Sequence, residues 1–185
     1  KENGFEETNE SHYVFADTGW EHPVLYQYIE DTVKPLLGDR FHKVVSKKYP
    51  RGMTEMVVSK GAFPSRRFRF CTDELKKKPL AAYCKSLGND PLPINAIGIR
   101  AAESVARSKM DRWEPGSIFG KNICDTWRPL IQFVVQDVID IHHRHNIRPC
   151  PLYLKDKYPS QRVGCWPCIM SKKSEVRAMV ETDPE

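Results

Sequence analysis

The sequence lacks several features that would assign it to a specialised class of protein. No apolar run approaches the roughly 20 residues that a membrane span requires, and the chain shows no signal peptide, internal repeat or low-complexity segment. Its six cysteines are too few in 185 residues for the disulfide framework of a small secreted domain. These absences predict a cytoplasmic protein that has no membrane partner.

The composition is that of one globular domain, or of one domain with a small appendage. Hydrophobic residues make up 40% of the chain and include four Trp, seven Tyr and eight Phe, which is enough for a substantial core. The formal net charge is +5. A mildly basic surface is either simply solvated or a site for phosphate-bearing ligands, small or polymeric, and the charge alone leaves both open.

Short apolar runs alternate with amphipathic segments along the chain. Strands are predicted at residues 12–17, 41–45 and 94–99. Helices are predicted from Pro23 to about Val33 with stops at Pro35 and Gly38, from Thr72 or Asp73 to Tyr83, over 101–108, around 133–141 and from Ser171 to about Val180. Residues 46–70 and 109–121 are predicted to be irregular. This alternation predicts an α/β fold, doubly wound, with a mostly parallel sheet.

Polar side chains follow two of the predicted strands. In open parallel sheets, ligands bind at the carboxyl ends of the strands. Asp17-Thr18-Gly19-Trp20-Glu21 offers a carboxylate and a hydroxyl for a ribose or Mg²⁺. Gly98-Ile99-Arg100, followed by Glu103 and Arg107, offers close backbone approach and two guanidinium groups for phosphate or sulfate. The alternative is that Asp17 and Glu103 are helix caps or salt-bridge partners.

A Cys-x-x-Cys stands near the C-terminus, at Cys165 and Cys168. Two thiolates on such a turn form half of a tetrahedral metal site or one redox disulfide. The other candidate ligands are Cys71, Cys84, Cys124 and Cys150, of which Cys84 and Cys124 are predicted to be core thiols. A zinc ribbon needs a second Cys-x-x-Cys, which the chain lacks, and all-thiolate ligation favours iron–sulfur.

The ordered set of these segments resembles the phosphoadenosine-phosphosulfate (PAPS) reductase family of the adenine-nucleotide α-hydrolase superfamily. The matching segments, which fall between residues 12 and 170, are Val14-Phe15-Ala16-Asp17-Thr18-Gly19-Trp20-Glu21-His22-Pro23, Arg69-Phe70-Cys71-Thr72 with residues 76–80, Gly98-Ile99-Arg100-Ala101-Ala102-Glu103-Ser104, Trp127-Arg128-Pro129-Leu130, and residues 146–168. The resemblance implies a nucleotide-binding α/β domain at residues 1–145 and a cysteine-bearing loop and helix at 146–185 packed on it.

The resemblance also implies which residues bind the nucleotide, although it identifies no catalytic residue. The expected nucleotide-binding residues are Asp17, Thr18, Gly19, Glu21, Gly98, Arg100, Glu103, Arg107 and Arg128. Two family features are missing from the sequence. The phosphate loop, Ser-Gly-Gly-x-x-Ser, would lie just before residue 1, and residues 179–185 lack the Glu-Cys-Gly nucleophile of sulfonucleotide reductases. The second difference disfavours PAPS reduction itself.

Relatives that bind a [4Fe-4S] cluster place Cys before a Lys-x-x-Pro helix and a Cys-x-x-Cys late in the chain. Cys71, Cys165 and Cys168 match those positions, and Cys150 is the best candidate for the fourth ligand because it lies near the Cys-x-x-Cys. This arrangement, with one cysteine early and three late in the chain, is similar to that of DNA-phosphorothioation proteins of the family. The implied cofactors are a [4Fe-4S] cluster, with zinc less favoured, ATP or an adenylyl sulfonucleotide, and Mg²⁺.

These inferences favour an enzyme of sulfur chemistry, either an ATP pyrophosphatase and sulfurtransferase or a sulfonucleotide reductase-like protein. Its expected partners are an adenine nucleotide and either a nucleic acid or a sulfur-donor protein, and a homo-oligomer is left open. The basic run Arg66-Arg67-Phe68-Arg69 either meets the phosphates of a nucleic acid or nucleotide, or faces solvent. The alternatives are a non-catalytic binding module of the same fold and a Cys-x-x-Cys redox protein.

Overall fold

The computed structural model describes residues 11–88, 93–116, 124–153 and 163–182. The chain forms two compact units. The flanking unit consists of His12–Pro79 and Arg148–Glu185, and the inserted unit includes Leu80–Ile147. Helices and parallel strand pairs occur together, so the predicted α/β class is confirmed. The predicted functional division at residue 145 stays a prediction.

Two parallel strands form the sheet of the flanking unit. Strand β1 (Tyr13–Ala16) pairs with β2 (Phe41–Val44), with Tyr13 opposite Phe41. Both strands lie within one residue of the predicted ends because each apolar run stops at polar residues. Their parallel pairing carries residue 17 and the loop after it to the carboxyl edge of the sheet, as predicted.

The connection from β1 to β2 is helical. It consists of α1 (Pro23–Tyr28), a π-helical turn (Ile29–Val33) and α2 (Lys34–Leu37), and the His22 ring accepts the Val24 N–H at 3.0 Å at its start. Gly38, at φ 55°, ends the helix as predicted. Pro35 does not end it and lies inside α2, two residues past the π-helical turn. The wider turn fits a proline, which has no N–H for the bond to residue 31.

The same arrangement recurs in the next long helix. It runs as α4 (Phe70–Thr72), a π-helical turn (Asp73–Lys77) and α5 (Lys78–Ser86), with Pro79 two residues past the turn. It starts before the predicted cap at Thr72 or Asp73. The prediction that residues 46–70 are irregular was wrong, because α3 (Met53–Lys60) occupies part of them.

Two clusters of buried side chains hold the flanking unit together. The first, here called the core cluster, contains Tyr49, Met53, Met56 and Leu75, and Trp20, Val57, Phe70 and Cys71 pack against it. The second cluster contains Cys150 and Leu152, next to the short 3₁₀ turn Pro151–Tyr153, and contacts α1 and Trp166. Helix α7 (Lys173–Thr182) follows the Cys-x-x-Cys turn.

The inserted unit contains a three-stranded mixed sheet. Strand β5 (Asp125–Trp127) lies between β3 (Ile94–Ala96), to which it is parallel, and β4 (Trp113–Glu114), to which it is antiparallel. Strand β3 is shorter than predicted, and the predicted helix at 101–108 is two 3₁₀ turns, Ala101–Glu103 and Arg107–Lys109. Helix α6 (Val135–Arg144) ends in basic residues, which suit the negative end of a helix dipole.

Helices long and apolar enough to cross a bilayer are absent from the described part of the chain.

Candidate functional site

Backbone hydrogen bonds to β2 and to the start of α3 fix the loop that follows β1. Asp17 N donates to Val44 O of β2 at 2.9 Å, and Met53 N, at the start of α3, donates to Thr18 O at 2.8 Å. A Cβ on Gly52 would lie 2.0 Å from Thr18 O, so only glycine allows this approach. The loop therefore has one defined position at the carboxyl edge of the sheet.

The buried carboxylate of Glu21 lies at the centre of this loop. It is 7% exposed, and its own loop and Tyr26 donate four hydrogen bonds to it. Their donors are Thr18 N at 3.1 Å, the Thr18 hydroxyl at 2.7 Å, Trp20 N at 3.3 Å and the Tyr26 hydroxyl at 3.1 Å. Lys76 Nζ lies 3.9 Å from Glu21 Oε1. A carboxylate is buried at low cost only when it is satisfied in this way.

Asp17 is the more exposed acid of the loop. It accepts the Gly19 N–H at 2.8 Å and the Tyr26 hydroxyl at 2.7 Å, and its other oxygen lies 3.2 Å from Lys43 Nζ. Burial raises the pKa of Asp17, but these hydrogen bonds and the Lys43 charge outweigh burial and lower it. Asp17 is therefore an ionised group at the tip of the strand, suited to a cation or to hydroxyl groups.

Tyr26, on α1, joins the two acids by donating to both. Burial and the two neighbouring carboxylates raise the pKa of its phenol. Tyr26 consequently stays protonated at neutral pH and remains a donor to both Asp17 and Glu21.

Cys165 reaches this loop from the far end of the chain. Its backbone pairs with that of Glu21 in an antiparallel bridge, and Trp166 N donates to Trp20 O at 2.7 Å. Cys165 Sγ lies 3.7 Å from Thr18 Oγ1 and 3.8 Å from Glu21 Oε1. Burial raises the pKa of the Cys165 thiol, although the Lys76 charge opposes this. The protein thus places a protonated thiol against the polar loop of β1.

The other three predicted ligands also lie in the flanking unit. Cys71 packs against the core cluster, and Cys150, 6% exposed, belongs to the second cluster, against which Trp166 packs. Cys168 Sγ accepts the Met170 N–H at 3.4 Å. Within the described residues, however, no three Cys, His, Asp or Glu side chains are grouped as a metal site requires. The donor chemistry suits an iron–sulfur cluster, for which the four thiols would have to converge.

The predicted anion-binding residues lie in the inserted unit. Arg100 and Arg128 are each only 3% exposed. Arg100 Nη2 lies 3.1 Å from Glu103 Oε1, and Glu103 also pairs with Arg107. Arg128 pairs with Glu114 of β4 and donates to Asp111 O at 2.8 Å. The structure thus brings together an ion-paired group of Arg100, Glu103 and Arg107. Glu103 is a salt-bridge partner in it, which is the alternative role that the sequence left open.

Three side chains of the flanking-unit site were not predicted from the sequence: Tyr26, Lys43 and Lys76. Lys43 lies opposite Phe15 in the register of β1 and β2, which is visible only once the strands pair. Lys76 belongs to residues 76–80, the segment that carried part of the family resemblance, so a signal for it existed. For Tyr26, the sequence carries no signal beyond its place in the first turns of a predicted helix.

Comparisons with known proteins agree with this architecture. A sequence profile of the phosphoadenosine phosphosulfate reductase domain matches residues 4–171. The solved structure of phosphoadenylyl-sulfate (PAPS) reductase from Candida auris, a phosphate complex, superposes with a TM-score of 0.61 at 16% identity, over 87% of this chain and 72% of that one. That likeness concerns the fold.

Two phage proteins are similar in sequence. A 37.8 kDa protein from the gpa 5' region of Escherichia phage 186 is 27% identical, over 93% of this chain and 63% of its own length. The nin region protein ORF290 of Escherichia phage lambda is 32% identical, over 50% of this chain and 39% of its own length. The chain therefore spans less than two thirds of either curated relative.

Proposed function

Since the chain belongs to the phosphoadenosine phosphosulfate reductase family, we propose that it is an enzyme of sulfur chemistry that binds ATP or an adenylyl sulfonucleotide. The observation that carries this proposal is the position of Cys165. Its thiol lies 3.7 Å from Thr18 Oγ1, in the loop at the carboxyl end of β1. A sulfur-bearing side chain of the Cys-x-x-Cys turn therefore lies where α/β proteins of this kind bind their ligand.

The flanking unit supplies the groups that would hold the nucleotide and its metal. Asp17, ionised and partly exposed, would bind Mg²⁺ or the ribose hydroxyls. The backbone at Thr18 and Gly19 would follow the sugar. Glu21 and Tyr26 would keep Asp17 and Thr18 in place, because their hydrogen bonds fix both side chains. Lys76 Nζ, which lies 3.9 Å from Glu21 Oε1, would stabilise negative charge that develops on the bound nucleotide.

The inserted unit would bind phosphate or sulfate groups. Arg100 and Arg107 share Glu103, so one carboxylate holds both guanidinium groups in fixed orientations. Gly98 and Arg128 complete the proposed set, with Arg128 oriented by Glu114.

In the ATP reaction, an acceptor atom attacks the α-phosphorus and pyrophosphate leaves, and a sulfur nucleophile then displaces AMP from the adenylated acceptor. In the sulfonucleotide reaction, a thiol attacks the sulfur and the nucleotide leaves as a phosphate. The second reaction needs a nucleophilic thiolate, whereas burial raises the pKa of the Cys165 thiol and keeps it protonated. We favour the first for this reason, with a nucleic acid or a sulfur-donor protein as partner.

The [4Fe-4S] cluster on Cys71, Cys150, Cys165 and Cys168 remains part of this proposal. It is supported by the all-thiolate donor set and by the presence of all four residues in one unit. Since no three metal-binding side chains are grouped in the described residues, the four thiols would converge when the cluster binds. No step of the reaction above passes through the cluster.

Nucleotide binding is the first test. Competition of ATP, GTP and adenosine 3',5'-bisphosphate against a fluorescent ATP analogue should show adenine-selective binding to the full natural chain. Asp17→Asn should weaken it by about 10-fold, or about 1.4 kcal/mol. The control Asp31→Asn removes an exposed acid of the same connection, which accepts from Gln27 at 2.7 Å, and should change nothing. An absence of adenine-nucleotide binding by the wild type would refute the proposal.

Anaerobic purification with iron and sulfide assays tests the cofactor. Near-equal iron and sulfide that are lost in Cys165→Ala and kept in Cys84→Ala would support the cluster. One zinc per chain would replace it with a zinc site. Metal-free protein with a titratable Cys165–Cys168 disulfide would favour the redox alternative instead.

A further inference from the structure

Residues 60–70 of the flanking unit, from the end of α3 to the start of α4, form a mostly exposed segment that contains both aromatic and basic side chains. Phe63 is 54% exposed and Phe68 is 68% exposed. Lys60, Arg66, Arg67 and Arg69 are exposed as well. An exposed apolar patch that is rimmed by polar or charged residues marks an interaction site. We call residues 60–70 the Phe–Arg segment.

The Phe–Arg segment has a fixed conformation. Ser65 N donates to Phe68 O at 3.1 Å, and Phe68 N donates to Ser65 Oγ at 3.1 Å, which closes a turn around Arg66 and Arg67. Arg66 donates to the carbonyls of Ile169 and Ser171 at 3.3 and 3.0 Å. The segment is thereby attached to the chain that directly follows Cys168.

The other side of the segment reaches the loop of the candidate site. The Phe63 ring meets the Trp20 ring edge-on, with centroids 6.4 Å apart. Trp20 in turn donates to Pro167 O at 3.2 Å and lies between Thr18 and Glu21 in the chain. A molecule bound on the Phe–Arg segment would therefore lie next to the elements that carry Cys165.

The charges of the segment are available to a ligand. Among the residues that the structure describes, the side chains of Arg67 and Arg69 have no ion-pair partner. The next acids along the chain, Asp73 and Glu74, already pair with Lys77 and Lys78 at 3.0 and 2.9 Å. The surface is therefore complementary to an anion.

We propose that the Phe–Arg segment binds a single-stranded nucleic acid, with a base stacked on Phe68 and phosphates at Arg67 and Arg69. A free phosphate would not use the aromatic rings, and a purely apolar ligand would not use the arginines. Stacked aromatics among cations are the pattern of single-strand binding, because unpaired bases offer a π-face and their backbone offers phosphates. A duplex keeps its base faces covered. This inference rests on the proposed function, since it identifies the sulfur acceptor as the bound strand.

Fluorescence anisotropy with labelled oligothymidylate and oligouridylate tests the proposal in the absence of nucleotide. Arg67→Glu/Arg69→Glu should weaken binding at least 10-fold and reduce the slope of log K against log salt by about 1.4, since each contact contributes about 0.7 for a single strand. Phe68→Ala should weaken binding about 10-fold at an unchanged slope. The matched control, Lys85→Glu/Lys109→Glu, makes the same change of charge at two exposed lysines of the inserted unit.

Equal weakening by both double variants would overturn the proposal, because it would show only an effect of net charge. Equal affinity for duplex and single strand, with no effect of Phe68→Ala, would also overturn it. The nucleotide assay is run in parallel on Arg67→Glu/Arg69→Glu, which should bind ATP as the wild type does. If the wild type binds nucleotide but no single strand, this inference is refuted and the proposed function is not. If the wild type binds the strand but no nucleotide, the proposed function is refuted.

Discussion

Glu21 and Cys165 lie 144 residues apart in the chain, yet their backbones pair in an antiparallel bridge and their side chains lie 3.8 Å apart. This pairing joins the loop after the first strand to the Cys-x-x-Cys turn. Because Glu21 also accepts four hydrogen bonds from its own loop and from Tyr26, it fixes the position of the acids relative to the thiol.

Glu21→Gln should therefore destabilise the protein. The amide replaces one acceptor oxygen with an NH₂ group that faces donors, which leaves buried polar groups unsatisfied. We expect a loss of about 1–3 kcal/mol in the free energy of unfolding, measured by urea denaturation. Glu30→Gln is the control, since Glu30 is exposed and pairs with Lys34 in the same connection, and it should cost less than about 1 kcal/mol. Equal losses would show that the Glu21 network has no special role.

Tyr26→Phe should reduce stability at neutral pH more than at acid pH. The hydroxyl helps to lower the pKa of Asp17 below its usual 3.8. A lowered carboxyl pKa stabilises the folded state above the unfolded pKa, and that stabilisation is lost as the pH falls through the folded pKa. The difference in Tm between wild type and Tyr26→Phe should thus be present at pH 7 and shrink below about pH 4.

Tyr28→Phe is the matched control for that experiment. The Tyr28 hydroxyl donates to the carbonyl of Arg148 at 2.8 Å, and a backbone carbonyl does not titrate. Its effect on Tm should accordingly be the same at pH 7 and at pH 3. If Tyr26→Phe behaves in the same way as Tyr28→Phe, the hydroxyl does not act through the acids.

The residues on the tips of strands could be predicted, because the prediction needs only local information. The apolar run that forms β1 ends at Asp17, and the parallel-sheet rule puts the residues after it at the ligand edge. Helix α3 escaped prediction because its buried face is only Met53 and Met56, too short a pattern for a helical period. The π-helical turns also escaped, since only the prolines that follow them mark their positions.

The partners across the site could not be predicted in the same way. That Lys43 reaches Asp17 depends on strand register, and that Tyr26 reaches both acids depends on the rotation of α1. The contact between Cys165 and Glu21 depends on the return of the chain after 144 residues. Sequence named both of these residues as site members but gave no reason for their contact. The grouping of four cysteines stays a prediction.

Gly52→Ala should destabilise the flanking unit strongly. The new Cβ would lie 2.0 Å from Thr18 O, a backbone atom, and φ at Gly52 is +75°. We expect a cost of about 2–3 kcal/mol or failure to fold, measured by circular dichroism during thermal unfolding. The control is Gly61→Ala, at φ +60° with no atom within 4 Å of its Cβ, which should cost only about 1 kcal/mol. Similar costs for the two variants would mean that the loop can move away from α3.

The thiols of Cys84 and Cys124 influence each other in the inserted unit, and burial raises the pKa of both. Burial and the neighbouring Cys84 raise the pKa of Cys124 to about 11, and because the thiolate is the reactive form, alkylation of Cys124 by iodoacetamide should rise with pH only towards that value. Cys84→Ala should shift the profile to lower pH, as followed by peptide mass spectrometry, although burial still keeps it above the ordinary range. Since the folded state holds this proton more tightly than the unfolded one, stability should fall as the pH rises from about 9 to 11. Identical alkylation profiles in the wild type and in Cys84→Ala would mean that the two thiols do not interact.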